Sequence, residues 1–113
     1  MPTLNLPADP NLDDLTLAWE AQYWGKKSWL LMSKTFERWK LYFGEARRPR
    51  DIFRSDVAEY KDWLRKKGWS DNSIVSEMER LRRFYRLLDE LELVEKDFNP
   101  ATGMSPKRIR RPR

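Results

Sequence analysis

The sequence predicts an all-α fold, a compact domain of four helices, on the strength of two observations. Apolar residues recur at three- and four-residue steps over four separate stretches, which is the spacing of one face of an α-helix. Glycine, proline and short polar residues separate these stretches, and connections of about three to ten residues are typical of compact helical domains. No alternating pattern of β-strands competes with this interpretation, and no internal repeat indicates a solenoid.

Length and composition favour one domain whose core needs no covalent cross-links. The 113 residues are 40% hydrophobic and include six Trp, five Phe and four Tyr, but neither Cys nor His. This composition excludes disulfides, thiolate chemistry, histidine-based catalysis and histidine metal ligands. No apolar run approaches the roughly 18 residues that span a bilayer, so we expect a cytoplasmic or nucleoid protein. Since no catalytic motif is present, we expect no cofactor, no small-molecule substrate and no catalysis.

The chain begins with a proline-rich stretch, which is followed by the first predicted helix. Residues 1–10 contain three prolines and no periodicity, which predicts an extended arm. Asn11 or Asp13 can cap a helix that runs to about Trp24 and ends before Gly25. Its apolar stripe, interrupted by the polar Gln22, comprises Leu12, Leu15, Trp19 and Tyr23.

The second predicted helix spans about residues 29–43, with Ser28 as its N-cap and Gly44 just past its end. The polar loop 45–51 follows, where Pro49 prevents the helix from continuing. The buried stripe of this helix is spaced by four, three and four residues and comprises Met32, Phe36, Trp39 and Phe43.

The third and fourth predicted helices span about residues 54–67 and 70–91. Gly68 allows the left-handed turn between them, and Ser70, Asp71 or Asn72 can accept hydrogen bonds from free N–H groups at the fourth helix start. After Leu91, a short turn is expected before Asn99-Pro100. The two apolar stripes comprise Val57, Tyr60 and Leu64, then Ile74, Met78, Leu81, Tyr85, Leu88 and Leu91.

We interpret the acidic pairs and the tryptophans as structural rather than functional residues. We expect the pairs Asp13/Asp14, Glu77/Glu79 and Asp89/Glu90 on exposed helix faces, solvated or paired with Lys and Arg one turn away. We expect core or near-core positions for Trp19, Trp39 and Trp63.

The charge distribution is uneven along the chain. The net charge is +5, and five of the 23 basic residues lie in the tail 107–113, which has no acid. The preceding 106 residues therefore balance, but residues 26–54 hold nine basic and three acidic side chains, and residues 89–97 hold five acids. A basic middle and tail suggest a directional surface usable for nucleic acid, with an ordinary solvated surface as the alternative.

Three stretches in order resemble a known family. Residues 27–44 form an aromatic-striped helix that ends in Phe43-Gly44, and DIFRSDVAEYKDWLRKKG at 51–68 is similar to D-I-T-x-x-D-I/V-x-x-Y-x-x-W-L-x-x-x-G. WSDNSIVSEMERLRRFYRLL at 69–88 is similar to S-x-x-T-I-x-x-x-L-x-x-L-R-x-F-Y-x-x-L. From residue 19 to residue 100 the chain resembles the N-terminal SAM-like, or core-binding, domain of tyrosine recombinases and phage integrases. Phe53 and Ser73 stand where the family usually has Thr, and Met78 where it has Leu.

The resemblance implies a SAM-like orthogonal four-helix bundle over residues 11–100, forming one half of a clamp around double-stranded DNA. Its second and fourth helices would approach adjacent major grooves, and other recombinase protomers would bind the same DNA. The family's other half is a catalytic domain with an Arg/His/Arg set and a nucleophilic Tyr. Because this chain has no His and its residues 101–113 resemble a basic interdomain linker, we expect it to bind DNA without cutting it.

Two helix starts are the candidate DNA-binding sites, because Lys, Arg and free helix N–H groups bind phosphates and short polar side chains can approach bases. The candidates at the second helix are Lys26, Lys27, Ser28, Lys34 and Arg38. The candidates at the fourth helix are Asn72, Ser73, Ser76, Arg80 and Arg83.

A helical protein–protein interaction module is the alternative function, since SAM-like bundles also serve that role. The basic tail and the basic excess in residues 26–54 favour DNA. The DNA hypothesis requires the starts at 26–28 and 72–76 to lie side by side on one positive flank. It also requires that the acidic segment 89–97 leave them uncovered.

Overall fold

The structure, a computed structural model, describes residues 9–23 and 27–103, with side chains described for residues 9–19 and 32–103. Four α-helices lie in this part of the chain: α1 (Leu12–Tyr23), α2 (Lys27–Phe43), α3 (Arg54–Lys66) and α4 (Asp71–Glu90). A 3-10 turn occupies Pro49–Asp51, and the described residues contain no β-strand, so the predicted all-α class is confirmed. The chain divides into two compact units, Met1–Asp51 and Ile52–Arg113. Most of the predicted arm, Gly25, Lys26 and the tail from residue 104 lie outside the described residues.

In the first unit, α1 and α2 pack against each other. α1 starts with a reciprocal cap, because the Asn11 N–H donates to Asp14 Oδ2 (3.0 Å) and the Asp14 N–H donates to Asn11 Oδ1 (2.8 Å). Asn11 is therefore the N-cap. The Phe36 ring lies 5.7 Å from Trp19 and 5.5 Å from Trp39, which joins the two helices. Leu12, Leu15, Trp19, Phe36 and Trp39 are buried, as the stripes predict. Met32 and Phe43, also predicted to be buried, are partly exposed, so the prediction is wrong for these two residues.

The start of α2 differs from the sequence prediction. Ser28 is predicted as the N-cap, but the helix begins at Lys27, so Ser28 lies in the first turn and this prediction is wrong. Neither Lys27 nor Ser28 restricts the backbone as Gly or Pro would, so the helix extends toward the connector. Residues 24–26, which precede the helix, lie outside the described part of the chain.

In the second unit, hydrogen bonds at both ends of α3 define where the helix begins and ends. The Asp56 Oδ2 accepts a hydrogen bond from the Phe53 N–H at 2.8 Å, which is half of a capping box, since phenylalanine offers no side-chain acceptor in return. At the other end, the Gly68 N–H donates to Arg65 O (3.0 Å) and the Trp69 N–H donates to Leu64 O (3.1 Å). With Gly68 at φ +92, this is a Schellman turn, as the sequence predicts.

α4 buries one face along most of its length. The buried residues are Ile74, Val75, Glu77, Met78, Leu81, Phe84, Tyr85 and Leu88. Leu91, predicted to extend this stripe, is 37% exposed. The prediction fails there because the helix ends at Glu90 and the chain turns at Glu92, whose φ is +59. The chain then returns so that the Phe98 ring lies 5.8 Å from Tyr85 and 6.2 Å from Phe53.

The N-cap of α4 provides a first testable prediction. The Ser70 Oγ accepts a hydrogen bond from the Ser73 N–H at 3.2 Å, so Ser70→Ala should lower the free energy of unfolding by about 1 kcal/mol. Urea denaturation followed by far-UV circular dichroism measures this loss. Ser73→Ala is the matched control, because it removes an exposed hydroxyl three residues later and keeps the cap, with an expected change within about 0.5 kcal/mol. Equal losses for the two variants would contradict the cap assignment.

Candidate nucleic-acid interface

The start of α4 is an ordered helix tip that carries short polar side chains. Ser70, Asn72 and Ser73 are exposed. The Ser70 Oγ donates to the Ser73 Oγ at 3.0 Å, in addition to its cap contact. Helix N-termini carry N–H groups without intrahelical acceptors and a partial positive charge. This tip can therefore present backbone and side-chain donors to an anionic group such as a phosphate.

The same face of α4 continues from the tip along the helix. Asn72, Ser76 and Arg83 follow at steps of four and seven residues, which places them on one face. Arg83 is exposed and Ser76 is partly exposed. Glu79 lies between them on this face and is also partly exposed, so it places a negative charge in the row. The exposed Asp71 in the first turn of α4 adds a second negative charge beside this face, so the face is most favourable to an anion around Arg83.

Arg80 has a different environment from Arg83. Its guanidinium donates through Nε (3.1 Å) and Nη2 (2.9 Å) to Glu77 Oε1, and its side chain is 24% exposed. The Tyr60 hydroxyl of α3 donates to Glu77 Oε2. Glu77 is 0% exposed, so its predicted place on an exposed face is wrong. Arg80 thus neutralises a buried carboxylate, and only the part of its guanidinium that faces solvent remains for a ligand.

Three of the candidates on α2 also share one helix face. Lys27, Lys34 and Arg38 follow at steps of seven and four residues. Lys34 is exposed and Arg38 is partly exposed. The side chains of Lys27 and Ser28 lie outside the description, as does Lys26 entirely. Leu41 continues this face three residues beyond Arg38 and is 72% exposed, so the face is solvent-accessible and of mixed chemistry.

Lys40 on α2 forms ion pairs with carboxylates of the fold. Its Nζ lies 3.0 Å from Glu37 Oε1 and 3.6 Å from Asp13 Oδ1, with the side chain 12% exposed. Burial alone would lower the pKa of Lys40, but the hydrogen bond to Glu37 and the nearby carboxylates raise that pKa overall. Lys40 therefore stays charged and links α2 to α1. The pKa of Lys61 on α3 is lowered instead, first by burial and then by the charge of Arg65.

The acidic segment 89–97 lies at the opposite end of α4 from the candidate tip. Sixteen residues separate Ser73 from Asp89, which is about 24 Å along a helix axis. The Asp97 N–H donates to Asp89 Oδ2 at 3.3 Å, which folds the segment onto the helix end. A pocket of about 430 Å³ lies there, lined by Arg82 and Arg86 together with the two Asp side chains, so opposite charges balance around it. Within the second unit, the segment leaves the α4 tip uncovered.

No protein-family model, curated protein or solved structure matches the chain. Across residues 9–23 and 27–103, no helix is both long and apolar enough to cross a membrane. The same residues contain no group of three or more His, Cys, Asp or Glu side chains placed to hold a metal ion. The sequence analysis expects the starts of α2 and α4 to lie on one flank. This expectation concerns both units and stays a prediction. The functional argument therefore uses the geometry inside each unit.

Proposed function

We propose that this chain is a duplex-DNA-binding domain of the tyrosine-recombinase type, one half of a clamp on DNA. The observation that carries the proposal is the start of α4. There a serine-capped tip, exposed Asn72 and Ser73, and the exposed Arg83 farther along combine donors for phosphate with short polar groups for base edges. In this function the chain binds DNA and contributes no catalytic residue, while cleavage belongs to a separate catalytic domain.

Two further features support the proposal. Lys34 and Arg38 lie on one accessible face of α2, inside the stretch 26–54 with nine basic and three acidic residues. The acidic segment 89–97 lies about 24 Å from the α4 tip along the helix, so its charge is screened there at physiological salt. Sequence-independent phosphate contacts of this kind give binding that weakens steeply as salt rises.

A protein-binding module is the second candidate, and exposed apolar side chains favour it. Leu17 on α1 and Leu41 on α2 are 58% and 72% exposed. Such side chains stabilise a complex by burial of apolar surface, which depends little on salt. The salt dependence of binding therefore separates the two candidate functions.

The proposal predicts salt-dependent binding that depends on both helix starts. A mobility-shift titration on a mixed-sequence duplex should show binding at low salt, with the logarithm of the affinity falling linearly with the logarithm of the salt concentration. The double variant Lys27→Glu with Arg83→Glu should bind about 100-fold more weakly, since each reversal removes a phosphate contact and adds repulsion. Its far-UV circular dichroism spectrum should match that of the wild type.

Lys96→Glu is the matched control for Arg83→Glu. Both side chains are exposed in the second unit, and both substitutions change the net charge equally. Arg83→Glu alone should weaken binding about tenfold, whereas Lys96→Glu at the acidic end should change it less than about twofold. Equal effects would attribute the binding to net charge and refute the site. Binding that ignores salt, or no binding at low salt, would refute the DNA function.

A further inference from the structure

The loop between α2 and α3 holds two arginines on one carboxylate. The Arg48 Nε lies 3.1 Å from Asp9 Oδ2, and the Arg50 Nε lies 3.3 Å from Asp9 Oδ1. Each carboxylate oxygen therefore faces a different guanidinium. We call Arg48 and Arg50 the arginine pair. The sequence does not indicate this ion pairing, because Asp9 is about 40 positions away along the chain.

The backbone fixes the loop that carries the arginine pair. The Leu12 N–H donates to Arg47 O (2.9 Å), and the Asp13 N–H donates to Glu45 O (3.2 Å), so the loop is tied to the start of α1. Pro49 between the two arginines is buried, and the Arg47 Nη2 donates to Asp51 O at 2.7 Å. Hydrogen bonds and the burial of Pro49 therefore fix the backbone that carries the two arginines.

The arginine pair is accessible, and its bond to Asp9 is weak. The side chains of Arg48 and Arg50 are 54% and 52% exposed, and that of Asp9 is 34% exposed. Ion pairs with this exposure contribute little free energy, because water and salt screen them. A competing anion of the same charge with two oxygen acceptors can therefore displace the Asp9 carboxylate at small cost when other contacts hold that anion near the site.

A phosphodiester is the anion whose chemistry fits the arginine pair. Guanidinium groups donate parallel N–H bonds to phosphate oxygens, and two guanidiniums on separate oxygens match the spread of a phosphate group. The Asp9 carboxylate occupies the position that a phosphate would take. We infer that Arg48 and Arg50 bind a backbone phosphate of duplex DNA, and that Asp9 is an internal competitor that occupies this site until DNA displaces it. This inference rests on the proposed function and adds a third contact to the two helix starts.

Asp9→Asn tests the competition directly. The variant keeps the side-chain size and removes the charge that holds the arginine pair, so duplex affinity should rise about three- to tenfold in the same mobility-shift titration. The slope of the salt dependence should stay the same, because DNA displaces Asp9 in the wild type as well, so both complexes make the same number of phosphate contacts. Asp62→Asn is the matched control, since Asp62 is also exposed, also lies near an arginine (Arg65, 3.5 Å) and gives the same change in net charge.

The inference requires that the gain in duplex affinity depend on Arg48 and Arg50. Adding Arg48→Gln and Arg50→Gln to Asp9→Asn should remove it and leave an affinity below that of the wild type. A rise with Asp62→Asn equal to that with Asp9→Asn, or a gain that survives the loss of both arginines, would overturn the inference while the wild-type titration still supports DNA binding. If the wild type and all variants leave the duplex unshifted at low salt, the proposed function itself fails, and the phosphate role of the arginine pair fails with it.

Discussion

Replacing Glu77 with alanine is expected to lower the free energy of unfolding by about 3 kcal/mol, a large fraction of a small domain's stability. Glu77 is 0% exposed and accepts hydrogen bonds from the Tyr60 hydroxyl and from Arg80. Alanine leaves the fully buried hydroxyl without this acceptor and the guanidinium without its counter-charge. Because Arg80 is 24% exposed, it reaches water, so we place the cost at the lower end of the range for a broken buried ion pair.

Two milder substitutions separate the contributions to this loss. Glu77→Gln keeps the size and one acceptor, so it should cost about half as much as alanine, and Tyr60→Phe should cost about 1 kcal/mol. Urea denaturation of the single and double variants gives the coupling energy between Tyr60 and Glu77. A Glu77→Ala cost below about 1 kcal/mol would mean that the carboxylate is hydrated and that the network does not hold α3 to α4.

Glu77 also shows what periodicity can and cannot predict. It lies three residues after Ile74 and four before Leu81, so spacing alone places it on the buried face of α4. Apolar periodicity does not identify Glu77 as buried, because a lone carboxylate is rarely buried. The partner that makes its burial tolerable, Tyr60, comes from another helix. Such a pairing depends on tertiary packing, which the sequence pattern does not contain.

Helix positions were predictable because the signals are local. The Asn11 cap, the Gly68 turn and the Ser70 cap each depend on contacts within about five residues, and each is confirmed. The start of α2 was not predictable, since Lys27 and Ser28 fit either a helix or a connector.

The candidate site shows the same division between local and long-range information. The sequence identifies the α4 tip, whose polar side chains are adjacent along the chain. It does not indicate that Arg80 is bound to Glu77 or that the arginine pair is bound to Asp9. The first depends on which side of α4 is buried, and the second on where the chain before α1 lies.

Trp39→Ala should be the most destabilising substitution in the first unit, lowering the free energy of unfolding by about 3–5 kcal/mol. Trp39 is 1% exposed, and its ring lies edge-on to Phe36 at 5.5 Å. Removing an indole leaves a cavity that the neighbouring rings cannot fill without leaving their own rotamers. The loss is measured by urea denaturation followed by circular dichroism.

Leu41→Ala is the control for Trp39→Ala, because it lies on the same helix and is 72% exposed, so its cost should stay within about 0.5 kcal/mol. The comparison also tests the candidate interface. Lys34, Arg38 and Leu41 are assigned to the outward face of α2 because Phe36 and Trp39 define the inward one. If the two substitutions cost the same, that orientation is wrong, and the α2 cations lose their place on an accessible surface. If Trp39→Ala alone is costly, α2 has one buried face and one solvent-accessible face, as the proposed DNA contact requires.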